Sequence, residues 1–329
     1  VSETNNTAEI AAKISKDIFK HFHWQKNNLH DSNFSCVNKN HVGVGKKEKQ
    51  SHPTDVVFHY TDPYSGRRVY LNTDLKSYGT DSITSTKLRT AFKSLSMTVG
   101  CASESEDWRT KHLIDSSEPY EVRGLLFVYN HDNGYDKPFY QAIDKVDLKH
   151  LDMSSGLILH FLGPHDLQRL YSIANDMIRL KVEGELGSNY TFYYPDLVLV
   201  RRQGEIWHQP ATVESLTGPF TIIRHTSTGS ERGCLIYYNR EGNTVEEFEY
   251  FLDCLSRYQL LDAEESIRIR VTNPAADSNL KSVFGAAKVK YAKAWGFDSV
   301  RAAILDKIDI DRITSVTSTY NPGDVGWRT

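Results

Sequence analysis

The stretch HPTDVVFHYTDPYSGRRVYLNTDLKSYG, residues 52 to 79, puts two carboxylates and an ammonium inside what otherwise looks like a plain β-hairpin. Strand-like runs flank a Pro/Gly/Ser turn. If the turn is centred between Tyr64 and Ser65, residues whose numbers sum to 129 face each other. Asp55 then lies opposite Asp74, and Pro53 opposite Lys76. Opposed residues of an antiparallel pair share a side of the sheet, and Lys76, two residues beyond Asp74, shares it too. Val56, Phe58, Tyr60, Val69, Leu71 and Leu75 fall on the other side as a core face. Directly opposed carboxylates would have Cβ atoms ~5 Å apart, an unfavourable like-charge pair. A protonated carboxyl, a different register or a cation between the two would each relieve it. Mg²⁺ and Mn²⁺ favour such hard oxygen ligands, and a lysine beside the metal can orient a water and stabilise charge building on phosphorus.

Asp55 at the start of one strand, followed by Asp74-Leu75-Lys76 in the next, resembles the PD-(D/E)xK nuclease superfamily. The "PD" half reads Pro53-Thr54-Asp55, and the (D/E)xK half is complete. The resemblance covers about residues 1 to 130. It implies an α-β-β-β-α-β core of the restriction-endonuclease type, with a Glu from the first helix, here Glu9. By this resemblance Asp55 and Asp74 bind Mg²⁺ or Mn²⁺ with the Leu75 carbonyl. Lys76 serves the attacking water, and Glu9 completes the shell or orients a water. The implied activity is metal-dependent endonuclease hydrolysis of a phosphodiester, DNA favoured over RNA. Lys46, Lys47, Lys49, Lys87, Arg89 and Lys93 would meet phosphates, which give affinity rather than sequence choice.

Several elements must position these residues. AEIAAKISKDIFKHF spaces Ile10, Ile14, Ile18 and Phe22 four apart, an apolar helical face, with Asn6 and Glu9 as a capping box. Residues 25 to 52 are polar, with one short strand expected near Phe34–Val37. TKLRTAFKSLSMTVG places Leu88, Phe92, Leu95 and Val99 on one helical face, and EVRGLLFVYN reads as a strand. From about residue 155 the pattern resumes. SGLILHFLG, TFYYPDLVLVRR, RGCLIYYN and SIRIRVT read as strands, with Arg268 and Arg270 on a solvated face. HDLQRLYSIANDMIRL, TVEEFEYFLDCLSRYQLL (capped by Thr244 with Glu247) and NLKSVFGAAKVKYAKAW read as helices. The expected fold class is α/β (α+β): a nuclease-like domain over 1–150, then a C-terminal α/β domain over 151–329 that regulates, dimerises or recruits a partner.

Other clusters carry plainer readings. His21, His23, His30 and His41 with Cys36 lack finger spacing and read as structural or exposed. HVGVGKKEK lacks the spacing of a phosphate loop. Asp309 and Asp311 read as an exposed strand end.

The 329 residues are 39% hydrophobic and 25% charged, as in a globular chain, with no apolar run long enough to span a bilayer. The four cysteines form no CxxC pair, and VSETNNTAEIAAK lacks a signal-peptide pattern, so reduced thiols and a cytoplasmic location are expected. Residues 1–100 carry 14 Lys+Arg against 9 Asp+Glu, and the remainder 25 against 33. That asymmetry suits a polyanion-binding first half. Antiphage defence is the favoured setting, and a homodimer would supply two sites for a double-strand cut. The competing reading is a non-catalytic nucleic-acid-binding or scaffold subunit on a nuclease-like fold.

Overall fold

The computed structural model describes residues 2–43, 47–149, 151, 156–195, 208–227, 229, 232–261, 265–276 and 278–324. The chain divides into two compact units, Val1–Gln168 with Ser318–Thr329, and Arg169–Thr317. The first therefore extends past residue 150. SGLILHFLG supplies a strand to it rather than opening the second half.

The first unit begins with α1 (Ser2–Asp17). Asn6 lies inside this helix rather than at its cap, so the expected capping box with Glu9 does not form the helix start. Ile10, Ala11, Ile14 and Ile18 bury its apolar stripe. A 3-10 turn, Phe19–Phe22, follows, and Phe19 packs edge-on to Phe58 and Phe127. Five strands come next in spatial order β1-β2-β3-β4-β5. They are β1 (Gln25–Ser35), β2 (Ser51–Thr61), β3 (Arg68–Tyr78), β4 (Tyr120–Asn130) and β5 (Leu159–Leu162). The first two pairings are antiparallel and the last two parallel. Parallel pairing of β3 with β4 demands a crossover, which α2 (Ser85–Glu104) and α3 (Glu106–His112) provide. The order α-β-β-β-α-β is the one the hairpin motif implied.

The strand β1 is eleven residues long, where only a short strand near Phe34 was expected. It is an exposed edge, so polar–apolar alternation is largely absent. Its register against β2 shifts between Lys26 and His30, and Asp31 nearby takes a left-handed φ of 45°.

Both faces of the sheet are covered. Val57, Tyr70, Leu126 and Val128 pack with Leu88, Phe92, Leu95 and Val99 of α2. Thr84 caps α2 by accepting from the Lys87 amide, and Ser105 caps α3 by accepting from Trp108. Below the hairpin's charged end, the Asn72 Oδ1 accepts from Thr54 Oγ1 at 3.0 Å and Trp108 Nε1 at 3.1 Å, all three residues being buried. One amide thereby ties β2, β3 and α3 together.

The second unit is built from α5 (Pro164–Val182) from Arg169 onward, β6 (Tyr190–Phe192), α6 (Val213–Thr217), β7 (Phe220–Thr226), β8 (Arg232–Tyr238), α7 (Val245–Arg257), β9 (Ser266–Val271), α8 (Leu280–Ala294), α9 (Ser299–Asp306) and β10 (Asp309–Arg312). The short α4 (Phe139–Asp144) belongs to the first unit. Strand order is β10-β9-β8-β7-β6. The pairings again run antiparallel, antiparallel, parallel, parallel in chain order. The two units thus share one topology. Yet β7 (FTIIRHT) and β8 (RGCLIYY) contain no Asp or Glu. Arg270 does not face solvent as expected: it is 3% exposed and bound to the buried Asp176, with Nη2 2.6 Å from Oδ1. The β7 run was not recognised in the sequence, and residues 196–202 of the expected TFYYPDLVLVRR strand lie outside the described residues. Thr244 does cap α7, accepting from the Glu247 amide.

Gly124 of β4 allows α2 to approach the sheet closely. A Cβ there would lie 2.5 Å from Leu159 Cδ2 and 3.0 Å from Val99 Cγ2. Gly124→Val should therefore overpack the core, costing about 1–3 kcal/mol and lowering the thermal midpoint of unfolding by several degrees. An unchanged midpoint would mean that α2 does not pack this closely.

Candidate active site

The hairpin turn positions the candidate residues. Asp62 Oδ1 accepts from the Tyr64 amide at 3.0 Å and the Ser65 amide at 2.7 Å, and the Gly66 amide donates to the Asp62 carbonyl at 2.8 Å. Gly66 takes a φ of 67°, which glycine adopts without a Cβ penalty. From that turn the ladder runs from Thr61↔Arg68 to Val56↔Thr73, every pair summing to 129 as the sequence register required.

At Asp55 the link between the strands changes character. The Asp55 carboxylate Oδ2 accepts from the Leu75 backbone amide at 2.7 Å. A side chain thus replaces a ladder bond just where Asp55 and Asp74 would meet. Lys76 Nζ lies 2.5 Å from Asp74 Oδ1. Asp74 and Lys76 share the face of Tyr70 and Asn72 by strand alternation. That face is covered by the α2–α3 crossover, so the charged side of the hairpin is not its solvent side.

Electrostatics reflect this crowding. Burial first, and then the charge of Asp74, push the Asp55 carboxyl up to about 6, against the downward pull of the Leu75 amide and Lys76. Asp31 adds to the upward push. For Lys76, burial acts to lower the pKa but is outweighed by the charge and hydrogen bond of Asp74 and the charge of Asp55. Its ammonium consequently sits above the ordinary lysine range. Two carboxylates and one ammonium leave a negative balance in a half-buried place. Hard oxygen donors with unneutralised charge fit a divalent cation of the Mg²⁺ or Mn²⁺ kind. Asp55 and Asp74 would hold it, with the Leu75 carbonyl as a further oxygen.

Asp31 was not singled out in the sequence. It lies between the pairs His30↔Val56 and Ser32↔Thr54, which places it across from Asp55. Three carboxylates, Asp31, Asp55 and Asp74, therefore follow one another across β1, β2 and β3. The signal was hidden because NNLHDSN reads as a loop until the bulged edge strand is known.

The other expected residues fall at varying places. Glu9 is a half-buried residue of α1, a helix that leads into the Phe19 turn packed on Phe58, the opposite face from Asp74. Lys49 is half-buried: burial lowers its pKa, while Cys36, Cys101 and Asp74 act to raise it, so its ammonium lies within electrostatic reach of Asp74. Lys87 is exposed, with Nζ 5.6 Å from the centre of the Tyr78 ring, and Tyr78 in turn feels both Lys76 and Asp74. Lys47 and Lys93 are exposed, and the Arg89 Nε donates to the Asp147 carbonyl at 3.1 Å. Lys46 lies outside the described residues. No helix among the described residues is long and apolar enough to cross a membrane.

Comparison with known proteins agrees with this fold. The family model described as the GAPS4 protein PD-(D/E)XK nuclease domain matches residues 1–165, from α1 through β5. No curated protein and no solved structure matches the chain. On the strength of a domain match over half its length, together with the D…DxK hairpin it contains, the chain belongs to the PD-(D/E)XK nuclease family in its GAPS4 form.

Proposed function

We propose that the chain is a metal-dependent endonuclease that hydrolyses nucleic-acid phosphodiester bonds at Asp55, Asp74 and Lys76. The observation that carries this reading is the convergence of the two carboxylates with Lys76 around the Leu75 amide. A bound Mg²⁺ or Mn²⁺ would supply Lewis-acid polarisation of the phosphate and lower the pKa of a water. The chain's own part is positional. Asp55, held by the Leu75 amide, and Asp74, held by Lys76, fix two oxygen donors. Lys76, kept protonated, orients the attacking water and steadies negative charge on the phosphate. Lys47, Lys49, Lys87, Arg89 and Lys93, with Lys46 in the same basic run, would draw in the phosphodiester backbone.

DNA is the favoured substrate. The second hairpin has no carboxylate on its strands. A double-strand break would then need a second chain or two successive nicks. A nuclease domain joined to a like-folded unit without these acids suits an activity that is gated, and we place it in defence against invading nucleic acid.

Plasmid DNA and single-stranded RNA, each incubated with Mg²⁺, Mn²⁺ or EDTA, test the activity. Metal-dependent cleavage is expected, abolished by EDTA and reduced by at least ~100-fold in Lys76→Ala with the circular-dichroism spectrum retained. Wild type and Lys76→Ala equally inert on every substrate would instead favour a non-catalytic binding subunit.

A second expectation concerns stability. The folded-state pKa of Asp55 lies above its unfolded value of 3.8, so folding favours its protonated form. The associated stability is present below about pH 4 and lost as pH rises through about 6. In metal-free buffer at pH 7.5, Asp55→Asn should be more stable than wild type by on the order of 2–3 kcal/mol, seen as a higher unfolding temperature. The difference should shrink at pH 4. A less stable Asp55→Asn at pH 7.5 would show that the pair carries no electrostatic strain.

A further inference from the structure

The polar connection between β1 and β2 holds a second cluster of chemistry-bearing groups, made of residues distant in sequence. Cys36, His41, His52 and Cys101 each direct one ligand atom to a common point, and these atoms all lie within 4.8 Å of one another. His41, His52 and Cys101 are buried and Cys36 is half-buried. The separations are 3.6 Å between the two Sγ atoms, 3.5 Å from Cys36 Sγ to His41 Nδ1, 3.3 Å from Cys101 Sγ to His41 Nδ1, and 3.3 Å from His41 Nδ1 to His52 Nε2. Zinc–sulfur bonds of about 2.3 Å and zinc–nitrogen bonds of about 2.05 Å imply tetrahedral edges of about 3.8 Å for S···S, 3.5 Å for S···N and 3.3 Å for N···N. The four observed edges follow that pattern in size, and His52 Nε2 lies within 4.8 Å of both sulfurs.

We propose that Cys36, His41, His52 and Cys101 form a closed, four-ligand structural site for Zn²⁺. This contradicts the reading of Cys36 and His41 as unrelated structural or exposed residues, and of the cysteines as scattered thiols. Finger spacing was the wrong criterion, because the ligands come from three separate elements: the connection, β2 and α2.

The surroundings favour ligation. Thr98 Oγ1 donates to the Ser94 carbonyl at 2.9 Å, so its oxygen accepts from His52 Nδ1 at 3.3 Å. Nδ1 therefore carries the ring proton and Nε2 presents its lone pair to the cluster. A partner on the remote ring nitrogen is the usual companion of a metal-binding histidine. Ligation through His41 Nδ1 leaves the ring proton on Nε2, so the Asn38 side-chain amide, whose Nδ2 lies 3.3 Å away, would have to present its oxygen there in the metal-bound form. Burial pushes the Cys101 thiol up, and the backbone amides of Val37 and Asn38, hydrogen-bonded to its sulfur, pull it back toward the thiolate. A disulfide explains the cluster less well. Both cysteines are free, their sulfurs lie 3.6 Å apart, and a disulfide would leave the two histidines without a purpose. Two sulfurs and two imidazoles also disfavour Mg²⁺ and Ca²⁺, which take oxygen.

The site would pin the β1–β2 connection to α2. That connection is a small hairpin of its own, closed by Cys36 N to Gln50 O at 2.9 Å, Gly43 N to Lys47 O at 2.8 Å and Lys49 N to His41 O at 2.8 Å. It carries Lys49, which lies within electrostatic reach of Cys36, Cys101 and Asp74. Zinc here would thus hold one cation of the candidate active site in place, without taking part in any reaction. The proposal stands whether or not the chain is a nuclease.

The full chain, purified without chelator or histidine tag from zinc-supplemented medium, should contain zinc stoichiometrically by plasma mass spectrometry. Metal-free chain titrated with Co²⁺ should develop the intense visible bands and thiolate charge-transfer absorption of tetrahedral cobalt. Cys101→Ser should lose both signals and Asp55→Asn should keep them. If Cys101→Ser does not fold, the wild-type cobalt spectrum decides alone. Three results would overturn the proposal: folded wild type that binds neither metal, zinc content unchanged in the Cys36→Ser/Cys101→Ser double variant, or a Cys36–Cys101 disulfide found in the folded chain after alkylation.

Discussion

Two carboxylates that repel each other are held together at the open end of a hairpin, and much of the first unit serves to keep them there. Left to itself, the Asp55–Asp74 pair would part or take up a proton. The Leu75 amide holds Asp55 and the Lys76 ammonium holds Asp74, at 2.7 and 2.5 Å. Neither contact removes the net negative charge. The result is a site that favours a proton or a cation, with the Asp55 carboxyl pushed up to about 6 mainly by burial and then by its neighbour. Relief of that repulsion is the physical link between fold and proposed chemistry.

The scaffold makes the strained geometry affordable. Asn72 gathers Thr54 and Trp108 directly beneath the site, so β2, β3 and α3 cannot separate without breaking two buried hydrogen bonds. The apolar contacts of α2 with Tyr70 and Leu126 cover the same face. Gly124 lets that helix come close. On the other face, Phe19 locks the end of α1 against Phe58 and Phe127. The second unit repeats the topology with no carboxylate on the strands of the matching hairpin, which separates the fold from its chemistry.

Much of this was legible in the sequence where periodicity was strong. The mirror sum of 129 predicted each ladder pair from Thr61↔Arg68 to Val56↔Thr73, because the turn residues fixed the register. The helical spacing of Leu88, Phe92, Leu95 and Val99 likewise marked the buried face of α2. Legibility ended where tertiary context overrides local pattern. The strand β1 is an exposed, bulged edge whose polar residues alternate with nothing, so Asp31 passed for a loop residue. Arg270 looked solvated by alternation, yet its burial depends on Asp176, 94 residues away. Cys101 and His52 could not be paired with Cys36 and His41 by spacing, since α2 and β2 bring them together only in three dimensions.

The central claim is that the Asp55–Asp74 pair accepts a divalent cation in competition with a proton. Calorimetric titration of the full chain with Mn²⁺ at pH 5 and pH 7.5, for wild type and Asp74→Asn, tests this most directly. Wild type should bind Mn²⁺ more tightly at pH 7.5, by roughly tenfold if one proton with a pKa near 6 is displaced, and Asp74→Asn should lose most of that affinity. Mn²⁺ binding that is equal at both pH values and unaffected by Asp74→Asn would contradict the account.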